Sequence, residues 1–208
     1  MYCYYRGKYY CRKCHDKQVS IIPAYVIHNW DFRPYPVSKV SKTHIQNTAT
    51  KPLLNILTVN PTLYKNPKAK LGPVIQFRKQ FILMAEFVHS CRSESRLVEF
   101  FESKPYMLEN KDLFSLQDLF QHSQDALVPW MKQLYTKLLR HIGETCASCK
   151  GKGNYCEICK RNQLIFSFQF DIISKCNVCK AVYHRTCFNG GMKCPKCVRT
   201  AKIKGFKA

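Results

Sequence analysis

The sequence predicts a mainly α-helical fold with cysteine clusters at both ends. Nine of the 13 cysteines lie in pairs between Cys146 and Cys197, and a smaller cluster occupies residues 1–15. Between the clusters, apolar residues recur at spacings of three and four, which is typical of helices with one buried face. We therefore expect an N-terminal finger and aromatic bridge over residues 1–40, a helical region over 41–143, and a cysteine-rich module over 144–208.

The C-terminal cluster contains five pairs of candidate metal ligands. They are Cys146 and Cys149, Cys156 and Cys159, Cys176 and Cys179, His184 and Cys187, and Cys194 and Cys197. A Cys-x2-Cys pair bends the backbone so that both sulfurs face one point, and two pairs supply the tetrahedral donor set of a structural zinc ion. Zinc is favoured over buried free thiols because packing does not require cysteines to occur in pairs. It is favoured over disulfides because no secretory signal opens the sequence.

The connectivity of these ligands stays open at this stage. The last eight follow the order of a plant homeodomain (PHD) or FYVE finger, in which cross-brace pairing joins the first pair to the third and the second to the fourth. That pairing groups Cys156 and Cys159 with His184 and Cys187, groups Cys176 and Cys179 with Cys194 and Cys197, and leaves Cys146 and Cys149 without partners. The alternative joins Cys146, Cys149, Cys156 and Cys159 in one compact site. Ten ligands make two and a half tetrahedral sites, and the N-terminal cluster is the obvious source of the missing donors.

The N-terminal cluster has the form of a β-hairpin that ends in a knuckle, like the second half of a LIM-type finger. Its candidate zinc ligands are Cys3, Cys11, Cys14 and His15. A second clear pair is absent from the sequence, so we expect an incomplete finger whose upstream Cys-x2-Cys pair is missing. The segment Ile27–Phe32 that follows is interpreted as a packed turn or short strand, with Trp30 and Phe32 as core anchors.

The middle of the sequence predicts several amphipathic helices. One runs from Val74 towards Cys91, and another carries an apolar stripe from Leu127 to Ile142. Ser93 is expected to begin a helix that buries Leu97, Phe100 and Phe101, and Ser115 with Asp118 reads as a helix-capping signal. Cys91 is interpreted as a buried apolar residue rather than a ligand, and His141 as an ordinary side chain.

The sequence is strongly basic, with 34 Lys and Arg against 13 Asp and Glu and a net charge of +21. Thiolates that bind zinc would lower this charge to about +16. Such a charge favours an anionic membrane, nucleic acid or an acidic protein surface. Basic residues are scattered and no aromatic–basic stacking motif occurs, so nucleic acid is not expected as a partner. Catalysis is not expected either, because the cysteine-rich ligand sets leave no open metal position and no phosphate loop, triad or carboxylate dyad stands out.

Several spaced motifs together carry a family resemblance. They include Tyr5-x-Gly7-x-Tyr9-Tyr10-Cys11-x2-Cys14-His15, Trp30-Asp31-Phe32, Phe114-Ser115-Leu116-x-Asp118-Leu119 and Cys149-x-Gly151-Lys152-Gly153-x2-Cys156-Glu157-x-Cys159. With them, essentially the whole sequence resembles the Rubicon homology domain family. His28–Phe32 and Asn60-Pro61 favour the branch called "differentially expressed in FDCP".

The resemblance implies a non-enzymatic adaptor. Members of the family bind a late-endosomal Rab GTPase, mostly in its GTP form, and regulate endosome–lysosome traffic, lysosome positioning and autophagy. It implies a cytoplasmic protein that is peripheral on late endosomes or lysosomes, with possible contact to anionic membrane. It also implies four zinc sites in an untruncated domain and three here.

The expected Rab-binding surface is the helix from Val74 to Arg92, on which Phe77, Arg78 and Phe81 are the candidate contacts. The alternative function is a basic zinc-finger module that binds anionic membrane lipid or nucleic acid.

Overall fold

The computed structural model describes residues 1–88, 91, 104–189 and 191–205. The α-helices of this part of the chain are α1 (Pro23–Asn29), α2 (Lys39–Thr48), α3 (Ile56–Val59), α4 (Gly72–Val88), α5 (Tyr106–Glu109), α6 (Leu116–Ser123), α7 (Leu127–Arg140), α8 (Ala147–Lys150) and α9 (Pro195–Gly205). A 3-10 helix covers Pro61–Lys65 and a π-helical turn covers His141–Thr145. Across the described residues, no helix combines the length and apolar character needed to cross a bilayer.

All strands of the described residues are two or three residues long and form antiparallel pairs. The pairs are β1 (Tyr2–Cys3) with β2 (Lys8–Tyr9), β3 (Val19–Ile21) with β4 (Pro34–Pro36), β5 (Leu54–Asn55) with β6 (Leu113–Phe114), β7 (Asn154–Tyr155) with β8 (Leu164–Ile165), and β9 (Ile173–Lys175) with β10 (Val182–His184). Isolated two-stranded sheets are marginal in water, so each needs packing or another staple to persist. The fold is therefore mainly helical with small sheets.

The chain divides into two compact units. The first unit comprises Met1–Arg78 and Lys104–Gln133, and the second comprises Lys79–Ser103 and Leu134–Ala208. The core of the first unit contains Val26, Ile45, Ile56, Leu63, Phe114 and Leu119, each at most 3% exposed. The second unit has a core in which cysteines pack with Ile165, Ile173 and Tyr183, and a separate aromatic cluster of Phe87, Phe166 and Phe168.

Most of the predicted helices are confirmed. Helix α4 covers the segment predicted from Val74, and α7 carries the apolar stripe, whose Leu127, Met131, Leu134, Leu138 and Ile142 are all buried. At the start of α6, the Ser115 hydroxyl accepts from the backbone N–H of Asp118, and the Asp118 carboxylate accepts from that of Ser115. This reciprocal capping box is the one predicted. The predictions for Ser93, Leu97, Phe100 and Phe101 lie outside the described residues.

The interpretation of Ile27–Phe32 as a turn or strand is wrong in part, because Pro23–Asn29 form helix α1. Pro23 is suited to the first turn of a helix, where its missing N–H is not needed. Trp30 ends the helix in the left-handed region, with φ 55°. Its backbone N–H donates to the carbonyl of Val26, and the N–H of Asp31 donates to that of Tyr25. The Trp30 ring is half-buried and packs edge-on against Phe32, with 5.0 Å between the ring centroids.

The structure also corrects the expected Rab-binding surface. Arg78 and Phe81 are both 0% exposed, and Phe77 is half-buried. The Arg78 guanidinium donates to the carbonyls of Asn110, Lys111 and Leu113, and its carbon lies 3.9 Å from the centroid of the Phe114 ring. Because its side chain is fully buried and Nη1 donates to these carbonyls, Arg78 is a core residue of the first unit and is not available to a partner.

Candidate metal centres

The first donor cluster lies where helix α7 passes into the π-helical turn. It contains Cys91, His141, Cys146 and Cys149, whose ligand atoms all lie within 4.8 Å of one another. The Cys91 sulfur is 3.5 Å from His141 Nε2 and 3.5 Å from the Cys146 sulfur, and Cys149 Sγ is also 3.5 Å from His141 Nε2. The turn ends with the Cys146 N–H donating to the His141 carbonyl, which places both side chains at one point.

The second cluster joins the pair Cys156 and Cys159 to the pair His184 and Cys187. Cys156 follows directly after strand β7, and His184 is the last residue of β10. Cys159 Sγ lies 3.3 Å from His184 Nδ1. The Cys156 carbonyl accepts from the N–H of Lys160, which has the left-handed φ of 54° and completes the knuckle.

The third cluster contains Cys176, Cys179, Cys194 and Cys197. The sulfurs of Cys176 and Cys197 are 3.7 Å apart, and those of Cys179 and Cys194 are 3.5 Å apart. The knuckle repeats the local geometry of the second cluster, because Lys180 has φ 59° and its N–H donates to the Cys176 carbonyl. The buried Tyr183 hydroxyl lies 3.2 Å from Cys194 Sγ.

The donor distances fit a tetrahedral zinc ion. Zn–S bonds of about 2.3 Å and Zn–N bonds of about 2.0–2.1 Å place tetrahedral S···S pairs about 3.8 Å apart and S···N pairs about 3.6 Å apart. Six of the separations run from 3.3 Å to 3.7 Å, and the others within each cluster are at most 4.8 Å. Two sets combine three cysteines with one histidine, and the other has four cysteines. These are the compositions of structural rather than catalytic sites.

The pKa values of the thiols in these clusters depart from the ordinary value in both directions. Burial opposes ionisation of Cys156, but the backbone N–H groups of Cys159 and His184 lower its pKa to about 6. Burial likewise opposes ionisation of Cys194, whose pKa the Tyr183 hydroxyl helps to lower to about 6. Conversely, burial and the neighbouring Cys146 raise the pKa of Cys149 to about 12. Neighbouring thiolates repel one another, so a bound cation would favour the ionisation of all the thiols in a cluster.

The four predicted N-terminal ligands belong to none of the clusters found among the described residues. The buried Cys3 thiol lies 3.4 Å from Ser41 Oγ and accepts from the Ser38 N–H, and these bonds lower its pKa to about 7 although burial opposes this. His15 is also buried and its Nε2 lies 2.9 Å from the Tyr2 carbonyl oxygen. Cys11 and Cys14 present exposed thiols at the surface of the described chain.

The grouping of the C-terminal ligands answers the question that spacing left open. The first and third pairs after Cys149 come together, as do the second and fourth, so the interleaved arrangement is observed and the compact one is not. Cys91 is buried, as predicted, but its surroundings are not purely apolar. Cys91 and His141 lie beside Cys146 and Cys149, where they could act as the third and fourth donors of a metal site. Ligand counting indicated that two donors were missing, but it assigned them to the N-terminal cluster.

Comparison with known proteins finds a matching family and several relatives. The sequence matches the profile of the Rubicon Homology Domain over residues 1–202. It is 37% identical over 199 residues to the "Protein associated with UVRAG as autophagy enhancer" of Bos taurus, covering 95% of this chain and 30% of the relative. It is 35% identical over 200 residues to the "Run domain Beclin-1-interacting and cysteine-rich domain-containing protein" of Mus musculus, covering 95% of this chain and 21% of that relative.

A third relative is the "Pleckstrin homology domain-containing family M member 3" of Xenopus laevis, which is 34% identical over 208 residues. That match covers 99% of this chain and 28% of the relative. The chain therefore spans less than a third of the length of these curated relatives. Because the profile match and these relatives cover nearly all of the sequence, the chain belongs to the Rubicon homology domain family.

Proposed function

We propose that this chain is a non-enzymatic adaptor domain, stapled by three zinc ions, that docks a protein partner in autophagy or endolysosomal traffic. The observation that carries the proposal is the set of three closed donor clusters, each with four Cys or His ligands. Closed sites of this composition stabilise a fold and leave no position for substrate. The names of two relatives, one associated with UVRAG and one that interacts with Beclin-1, support a role in protein binding.

The zinc ions in this proposal act as structural staples. The short strands β7 to β10 border the second and third clusters, and sheets of this size do not persist without support. The interleaved ligand order agrees with a PHD- or FYVE-like cross-brace. The exposed Cys11 and Cys14 support the LIM-like half-finger of this proposal.

We further propose that the partner is a late-endosomal Rab GTPase in its GTP form. The zinc-loaded chain is then expected to capture the GTP-locked Rab at least about tenfold more efficiently than the GDP-locked form, at an ionic strength of about 0.15 M. A pull-down with both nucleotide states measures this preference. Chelation of zinc should abolish capture, because the domain loses its staples.

The control for this experiment is a GTP-locked Rab from another compartment, which should not be captured. Equal capture of the two nucleotide states contradicts the proposal. So does failure of either state to bind to protein that circular dichroism and metal analysis show to be folded and zinc-loaded.

A second candidate function, binding to an anionic membrane, is favoured by the surface of the third cluster. Val178 lies between Cys176 and Cys179 and is 83% exposed, which is unusual for an apolar side chain on a rigid turn. Lys175 and Lys180 flank the same knuckle. An apolar tip between cations suits insertion into the headgroup region of anionic lipid. Such a contact would place the protein peripherally on late endosomes or lysosomes.

We expect Val178→Glu to weaken binding to phosphatidylserine vesicles by about tenfold, because it removes the apolar tip and adds a repelled charge. Vesicle co-sedimentation across a salt series measures the effect. Val40→Glu is the matched control, since Val40 is 69% exposed in helix α2 and the charge change is the same. Equal loss in both variants would mean that net charge alone drives membrane binding.

A further inference from the structure

An apolar groove of about 370 Å³ opens on the surface of the first unit. Its most buried lining residues are Ile27 and Leu116, which are 4% and 8% exposed. At its more accessible side lie Leu53 and Val59, which are 61% and 48% exposed. Single exposed apolar side chains are ordinary on a protein surface. Here they border a concave apolar surface, and this combination indicates a contact site.

Several polar groups beside the groove are hydrogen-bonded within the chain. The Thr48 hydroxyl donates to the His44 carbonyl at 2.7 Å, and the Lys51 N–H donates to the Thr48 carbonyl at 3.0 Å. The Leu53 N–H in turn donates to the Lys51 carbonyl at 2.9 Å. A ligand would therefore gain mainly by burying apolar side chains.

The charged residue that lines the groove is basic. Lys51 is exposed beside the groove, which the exposed side chains of His28 and His44 also line. Among the described residues that line the groove there is no Asp or Glu. The net charge of +21 adds a positive field over the whole chain. An occupant with carboxylates beside its apolar anchors is favoured by this field, which also speeds its association.

We propose that this groove docks a short acidic segment of a partner protein, which inserts two apolar side chains between Leu53 and Val59 and places carboxylates near Lys51. A volume of about 370 Å³ suits a few side chains of a short segment. A second copy of this chain is disfavoured because both copies carry the charge of +21. A membrane surface is disfavoured because the apolar residues surround a concavity, whereas lipid contact is made by protruding side chains.

The proposal is tested by selection from a displayed library of random short peptides against the zinc-loaded chain. A synthetic peptide with the enriched sequence is then titrated by fluorescence anisotropy. We expect enriched sequences to combine two apolar residues with Asp or Glu. Leu53→Glu should weaken binding of that peptide by at least about tenfold, and Val40→Glu, which places the same charge elsewhere on the first unit, by less than about twofold.

The contribution of the cationic edge is tested with Lys51→Glu against Lys65→Glu, two exposed lysines of the same unit. Only Lys51→Glu should weaken the binding of the peptide and reduce the salt dependence of that binding. The proposal is overturned if no peptide is enriched, if the enriched peptides lack acidic residues, or if Leu53→Glu leaves their affinity unchanged. It is also overturned if Leu53→Glu instead abolishes self-association in sedimentation or binding to phosphatidylserine vesicles.

Discussion

The Cys91→Ala variant is expected to bind two zinc ions per chain, one fewer than the three expected for the unmodified chain. Cys91 supplies one of four donors to the first cluster, and its sulfur is within 3.5 Å of His141 Nε2 and of the Cys146 sulfur. Three remaining donors hold zinc weakly, and a structural site in zinc-finger peptides contributes about 10–16 kcal/mol. We therefore also expect the second unit to lose more than about 3 kcal/mol of unfolding free energy. Mass spectrometric metal analysis and chemical denaturation measure the two effects.

Cys3→Ala is the matched control, because Cys3 is buried as completely as Cys91 but lies among Ser38 and Ser41 rather than other donors. This variant should keep three zinc ions. If Cys91→Ala also kept three, the first cluster would not be a metal site. If Cys3→Ala lost one, the N-terminal residues would ligate metal as the sequence predicts.

The Asp118→Ala variant is expected to lose about 3–5 kcal/mol of unfolding free energy, because it leaves a buried guanidinium without its counter-charge. The side chains of Arg78 and Asp118 are both 0% exposed, with Arg78 Nη2 3.7 Å from Asp118 Oδ2. Lys104 and the Tyr106 hydroxyl also donate to this carboxylate. Urea denaturation followed by circular dichroism measures the loss.

The companion variant is the double substitution Asp118→Ala with Arg78→Met. It removes the unpaired charge as well, so it should be more stable than Asp118→Ala alone. Glu109→Ala, at an exposed acidic residue of the same unit, should change stability by less than about 0.5 kcal/mol. Equal stability of the single and the double variant would show that the ion pair is not the source of the loss.

The Asp118 carboxylate also makes the stability of the fold depend on pH. Burial opposes ionisation of Asp118, but Lys104, Tyr106 and the Ser115 N–H together hold its pKa below the ordinary value. A group with a lowered folded-state pKa stabilises the fold above its unfolded pKa of about 3.9 and loses that contribution as the pH falls through the folded value. The difference in stability between the unmodified chain and Asp118→Ala should therefore be constant between about pH 5 and 8.

The parts of this structure that sequence predicts well are those decided by local spacing. The stripe from Leu127 to Ile142, the capping box of Ser115 and Asp118, and the Cys-x2-Cys knuckles each depend on residues within a few helical turns. The candidate centre at Cys91 does not, because Cys91 and Cys146 are 55 residues apart and no periodicity links them. The burial of Arg78 is likewise hidden from the sequence. An arginine between apolar positions normally marks the exposed side of a helix. Here the carbonyls of Asn110, Lys111 and Leu113 and the carboxylate of Asp118 surround the buried guanidinium instead.

The interleaved ligand order has a consequence for the path by which the chain folds. During synthesis, Cys146, Cys149, Cys156 and Cys159 emerge within thirteen positions of one another, long before His184 and Cys187. Closing such a short loop costs less entropy than closing the long ones of the native clusters. An early zinc ion should therefore be captured by this local quartet, which the native fold separates into two sites. Maturation then requires thiolates to exchange between metal ions, so the rate of native assembly should fall when zinc is in excess and rise when a weak chelator buffers it.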